Sequence, residues 1–273
     1  MRRLLCSLSA LGLVLGSVSL AEAEEPRELS VNPWVSTPLV VVGATGWIGS
    51  ELAKGSIVAT QCRLCDRQLN GFDAGARDAL RWGSSDVGTA NAISNGLGFV
   101  GMPLLLAGGL AASSARDGAW RKIPEDLLVV VETTVLAADL NQAVKFAVQR
   151  ERPFAHALPP SQKGTSSAPA DENLSFYSGH TTLAFSLATS TAMVATLRGY
   201  TLAPVLWAVG LPLAAFTGYL RIAADKHYLS DVLVGALMGS AFGVAIPWIH
   251  RAQVGERIRL APMGLGLSVT VTM

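Results

Sequence analysis

At 273 residues, half of them hydrophobic and only 15% charged, the chain is too apolar for an ordinary cytosolic enzyme, because soluble domains average roughly 25% charged residues. A disordered chain is excluded on the same grounds. Twenty-one basic and 20 acidic side chains leave a net charge of +1, without the basic field that a nucleic-acid binder uses, so an exported or membrane-embedded protein remains.

The N-terminus fits export. Met1-Arg2-Arg3 is a positive start, Leu4 to Ala21 carries no charge, and Ala21-Glu22-Ala23 supplies a small-residue cleavage site. Residues 1–23 read as a secretory leader, either cleaved or kept as a signal anchor. Residues 24–95 form an N-terminal segment. Within it, Leu39 to Val42 followed by Gly43, Gly46 and Gly49 imitates a strand opening into a dinucleotide loop. The rest of the chain lacks the strand–helix alternation that a parallel sheet needs, so a membrane-associated helix of small residues is the better reading. Glu51, Lys54 and the glycine content argue that residues 38–58 lie at the interface and do not cross. Cys62 and Cys65 form a CxxC pair that an oxidising compartment would close as a small disulfide; free thiols and redox chemistry are the alternatives.

Apolar runs follow at Val87–Ala115, Leu127–Val148, Thr181–Leu197, Gly199–Leu220 and Val232–Ile249. A span needs roughly 20 apolar residues, with about 17 the practical minimum. The second run carries Glu132, Asp139 and Lys145, so its ionisable residues must face protein. Gly235, Gly239 and Gly243 give the last run one smooth face for close packing. The pattern predicts an all-α bundle with a core over 96–250 and a tail over 251–273, whose weak alternation allows a strand.

Three stretches carry chemistry. Lys145 and Arg152 stand seven apart before Pro153; on a helix they share nearly one face, and the proline should end that helix at Arg152. Ser178-Gly179-His180 opens an apolar run, with the serine suited to an N-cap and the first turn to an anion. Arg221 ends another run, and a bend is expected before His227 and Asp231, whose i, i+4 spacing on the next helix would let the carboxylate hold one ring nitrogen. Each stretch alone has a bland explanation: a solvated basic face, a capped helix, a structural ion pair.

Together, K-x6-R-P, S-G-H and R-x5-H-x3-D resemble the tripartite signature of the type 2 phosphatidic acid phosphatase (PAP2) and vanadium haloperoxidase superfamily. The resemblance covers Lys145 to Asp231. It departs at Tyr177, where the family has proline, and at Leu220, where it has serine. It implies a PAP2-type bundle of five or six membrane-spanning helices. Lys145, Arg152, Ser178, Gly179 and Arg221 would hold the phosphate. His227 would be the nucleophile, Asp231 would fix it, and His180 would be the acid and then the base. No metal or cofactor is implied. The implied substrate is a lipid phosphate or isoprenyl diphosphate, and the implied location is a bacterial inner membrane with a periplasm-facing site. A soluble periplasmic acid phosphatase and a non-catalytic membrane protein are the alternatives.

Overall fold

The computed structural model describes residues 28–58, 63, 69–166, 168–251, 258–263 and 266–271. The leader, Cys62 and Cys65 lie outside the described residues. The long helices are α1 (Pro33–Ile57), α3 (Val87–Gly96), α4 (Met102–Arg116), α5 (Ile123–Val148), α7 (Gly179–Leu197), α8 (Ala203–Ala223) and α9 (Leu229–Ile249). Helix α2 (Gly71–Leu80) and the single turn α6 (Pro153–His156) are short, and β1 (Ile258–Met263) pairs antiparallel with β2 (Gly266–Val271) in a C-terminal hairpin. Among the described residues the bundle itself is all-helical, as the sequence predicts.

Helix ends follow local chemistry. Asn32 caps α1 by accepting from Trp34 N, ahead of Pro33. Pro124, Glu125 and Asp126 occupy the first turn of α5, where a missing N–H costs nothing and carboxylates meet the positive end of the helix. Helices α3 and α4 form one run, Val87–Arg116, interrupted by a π-helical turn at Leu97–Gly101.

Four runs among the described residues are long and apolar enough to cross a membrane: Val87–Arg116, Trp120–Val148, Ala203–Ala223 and Leu229–Ile249. Their outward faces carry Leu104, Val205, Phe216, Leu233 and Leu237, all exposed. Helix α7 is absent from that set for a physical reason. It stands at the centre, packed against α4, α5, α8 and α9, and most of its side chains are buried against protein. Its interior is rich in buried Ser and Thr, and several hydroxyls donate to their own helix, as Thr182 to Ser178 O at 2.8 Å and Thr196 to Ala192 O at 2.7 Å, which satisfies them without an external partner.

The glycine face of α9 meets α7 as expected. A Cβ on Gly235 would sit 2.8 Å from Ser178 O, and one on Gly239 2.5 Å from Thr182 O; at Gly243 it would collide with the Thr189 side chain. At the end remote from these motifs, Arg198 Nε donates to buried Asp126 at 2.8 Å and Tyr200 OH donates to it at 2.7 Å, tying the α7–α8 turn to the start of α5.

Residues 43–49 are helical throughout, as the reading of a small-residue helix expects. The helix is not an isolated interfacial segment but docks along the bundle. Ser30 N donates to His250 O at one end of the bundle, Gly43 packs against Val135 and Asp139 of α5 midway, and Gln142 donates to Glu51 at 2.9 Å near the other end. Helix α1 therefore runs parallel to α5 along most of its length. Gly43 allows this contact, since a Cβ there would sit 2.6 Å from Val135 Cγ1.

Candidate active site

The ends of α5, α7, α8 and α9 converge with the 149–178 loop on one cavity of about 480 Å³. Lys145, Arg152, Gly179, His180, Arg221 and His227 all line it, so the three sequence stretches meet in space. Ser178 and Asp231 are fully buried behind it.

Lys145 sits in the last turn of α5, but Arg152 does not continue that helix. The helix ends at Val148, and Gln149 takes a left-handed conformation at φ 47°, as C-terminal caps often do. The chain then turns so that Arg150, not predicted from the motif, enters the protein and pairs with Asp73 at 2.9 Å and Asp231 at 2.7 Å. Arg152 reaches the cavity from the loop, as N-cap of α6. The expectation of one shared helix face fails because the αL cap intervenes four residues before the proline. The two cations still share one site. Arg152 Nε and Arg221 Nε are both buried without a hydrogen-bond partner, which is costly for guanidinium groups and suits an anion. Burial also pulls the Arg152 pKa below its ordinary value.

Ser178 caps α7, with its Oγ accepting from the Thr181 hydroxyl at 2.9 Å, and its hydroxyl faces inward. Gly179 borders the cavity because nothing larger fits: a Cβ would lie 2.9 Å from Asn141 Oδ1 and 3.0 Å from Lys145 Nζ. His180 projects from the first turn, as its position after the cap predicts.

The expected bend after Arg221 is present. Helix α8 ends at Ala223, Asp225 adopts φ 56°, and the Lys226 and His227 amides both donate to Arg221 O. His227 precedes α9, so it and Asp231 are not neighbours on one helix. Asp231 is instead engaged elsewhere: it accepts from Ser175 Oγ at 2.5 Å, Tyr228 N at 2.9 Å and Arg150 at 2.7 Å. His227 Nδ1 lies 3.8 Å from Asp231 and donates to Ser175 O at 2.8 Å. The orienting acceptor is therefore a backbone carbonyl, which Asp231 positions through the Ser175 side chain. Nε2 remains available to the cavity. Burial, then the charges of Arg152, Arg221 and Lys145, hold the His227 pKa well below the usual imidazole value, which favours the neutral ring.

Sequence reasoning missed much of the lining. Asn91, Asn95 and Phe99 come from α3 and the π turn, Trp47, Ile48 and Glu51 from α1, and Asp171 and Lys226 from loops. Spacing could not reveal them, because contacts between distant elements place them. Burial raises the Asp171 pKa, but Arg152 and Lys54 outweigh it and hold the carboxyl below its ordinary value. Counted as formal charges, Lys145, Arg152, Arg221 and Lys226 exceed Glu51 and Asp171 in the lining by two, a balance that suits an anion. Among the described residues no group of three or more His, Cys, Asp and Glu is placed to hold a metal ion.

A crystal structure of a transmembrane PAP2 type phosphatidylglycerolphosphate phosphatase from Bacillus subtilis is similar at 18% identity, with 80% of this chain and 94% of that chain covered and a TM-score of 0.42. No curated protein matches the chain. The sequence model of the PAP2 superfamily matches residues 126–254, a segment that contains Lys145, Arg152, His180, Arg221 and His227. Over that segment the chain is similar to the PAP2 superfamily.

Proposed function

We propose that the protein is a membrane phosphatase that hydrolyses a lipid phosphate or isoprenyl diphosphate through a phosphohistidine. The observation that carries this reading is the convergence of His227, His180 and an excess of cations on one cavity. Lys145, Arg152 and Arg221 hold the phosphoryl oxygens, the arginines through planar forks and the lysine as a point charge. Gly179 lets the α7 N-terminus approach the same anion. His227 Nε2 attacks phosphorus, and the Ser175–Asp231 arrangement keeps the proton on Nδ1. His180 protonates the leaving oxygen and then takes a proton from the hydrolytic water. Trp47, Ile48, Leu52 and Leu183 line the cavity beside the cations, which suits a substrate with an apolar chain next to its phosphate.

The four apolar runs support a place in a bacterial inner membrane. Because α1 and α5 run parallel, the cavity opens on the side opposite residue 33 wherever α1 crosses fully. A periplasm-facing cavity then corresponds to residues 1–32 held in the cytoplasm, and export of those residues to a cytoplasm-facing cavity. Labelling of a cysteine placed at Ser161, in the exposed loop, by an impermeant maleimide on intact spheroplasts distinguishes the two.

The activity test is an acid-quenched, alkali-stable label. Turnover and label should both vanish in His227→Ala. In His180→Ala the label should accumulate from p-nitrophenyl phosphate, whose leaving group needs no proton. Label retained by His227→Ala and lost from His180→Ala would reverse the two roles, and no label in any form would remove the phosphatase reading.

A further inference from the structure

The wall of the cavity formed by α3 precedes residue 126 and so lies outside the segment matched by the family. Its polar residues recur at helical spacing on one face and serve two of the chemical groups. Asn91 Oδ1 and Ser94 Oγ accept from Arg221 Nη1 at 2.9 and 2.7 Å. One residue on, Asn95 Oδ1 lies 2.8 Å from His180 Nε2. The π turn that follows brings Phe99 edge-on to the same imidazole, with ring centroids 4.6 Å apart at 64°. At Gly98, a Cβ would lie only 3.6 Å from His180 Cδ2. The ring is thus met by one hydrogen bond and one edge-on aromatic contact, both from a single helical run, and π turns often mark functional positions.

We propose that Asn95 is the positioning residue of the acid–base histidine: its carbonyl accepts the Nε2–H of His180 and thereby assigns proton exchange with substrate and water to Nδ1. This rests on the phosphatase reading. In the first half-reaction His227 Nε2 bonds to phosphorus, the bond from phosphorus to the leaving oxygen breaks with its electron pair, and the Nδ1 proton of the His180 imidazolium passes to that oxygen. In the second, neutral Nδ1 takes a proton from water as its oxygen bonds to phosphorus. The P–N electron pair returns to His227, and the imidazolium is restored. Nε2–H stays on Asn95 throughout. Burial first, then Arg221 from α8, His227 from its loop, Lys145 from α5 and Arg152 from its loop, hold the His180 pKa well below the ordinary imidazole value, so the imidazolium forms only when a bound phosphate dianion offsets those cations. An amide accepts the N–H without adding charge, whereas a carboxylate at the same place would stabilise the imidazolium.

Two variants of the full-length protein in detergent test this. Asn95→Leu keeps the size and loses the acceptor. It should slow phosphoryl transfer from an alkyl phosphate by about 10–100-fold, part of the roughly 100–10,000-fold that a general acid contributes, because Asn95 positions the acid and is not the acid itself, with KM little changed. The p-nitrophenolate burst from p-nitrophenyl phosphate should stay within about threefold, because that step needs no proton. Asn95→Asp should move the pH limb of alkyl phosphate hydrolysis that reports His180 upward. Equal losses with both leaving groups, no loss at all, or an unmoved limb in Asn95→Asp would overturn the assignment. If Asn95→Leu does not fold, the limb of Asn95→Asp decides alone. A parent protein that releases no phosphate and takes no label indicts the phosphatase reading instead.

Discussion

Substituting Gly239 by alanine should disable the site from a distance. The added Cβ would lie 2.5 Å from Thr182 O, about 0.9 Å short of the 3.4 Å at which ordinary contact begins. It would also lie 2.9 Å from both Phe185 Cβ and Ser186 N. Two of these neighbours are backbone atoms inside α7 and cannot step aside as a flexible side chain would, so α9 must move relative to α7. Overpacking of this kind costs about 1–3 kcal/mol, partly offset by the roughly 1 kcal/mol that alanine gains over glycine in a helix. The net loss of stability is then at most about 2 kcal/mol, and the protein should still fold. Activity is the more sensitive measure. The first turn of α9 carries Asp231, which positions Ser175 and, through Ser175 O, the His227 ring. Misplacement by about 1 Å can cost on the order of 100-fold in rate, so kcat for phosphate release in detergent should fall by about 10–100-fold, with a slightly lower thermal midpoint. Gly46→Ala in α1 is the control. Nothing lies within 4 Å of a Cβ there, so its activity should hold and its stability rise by up to about 1 kcal/mol. A Gly239→Ala protein as active and as stable as the parent would refute the close-packing argument.

Arg152→Lys should lower kcat/KM by at least about tenfold despite the retained charge, because a planar fork becomes a point contact; an unchanged rate would make Arg152 a bystander. Orthovanadate should inhibit as a trigonal-bipyramidal phosphate mimic, and EDTA should not; EDTA inhibition reversed by Mg²⁺ would count against a cage built of side chains. The acidic limb of kcat/KM should lie well below pH 6.5, the ordinary imidazole pKa, since His227 is held neutral. The same shift has a stability consequence. Below about pH 6.5 the unfolded chain binds a proton that the folded chain refuses, so stability should fall with pH until the folded value is reached; a flat denaturation midpoint from pH 7 to 5 would contradict it. Arg77→Ala should destabilise by about 2 kcal/mol, because the bidentate partner of buried Asp225 is lost (Nε–Oδ1 2.6 Å, Nη2–Oδ2 2.7 Å) and Arg81, at 3.1 Å, compensates only in part.

The sequence by itself determined the helical class, the apolar runs and the motif residues Lys145, Arg152, Gly179, His180, Arg221 and His227 that gather at the cavity. Those properties are written locally: lengths of uncharged chain, a cap before His180, glycines every four residues on α9. Motif order sufficed to name His180, Arg221 and His227. Tertiary structure decided what the spacing misjudged. Lys145 and Arg152 share a site through a left-handed cap and a turn. His227 is oriented by Ser175 O because Asp231 is drawn away by Arg150, which also bonds Ser230 and Asp73, the latter distant in sequence in α2. Helix α1 stands along α5 because Gly43 lets it dock, a contact that no periodicity announces. The stripe Asn91, Ser94 and Asn95 is the clearest case. An asparagine in a helix is ambiguous in sequence, and only the packing of α3 across the ends of α7 and α8 turns it into an acceptor for an imidazole and a guanidinium.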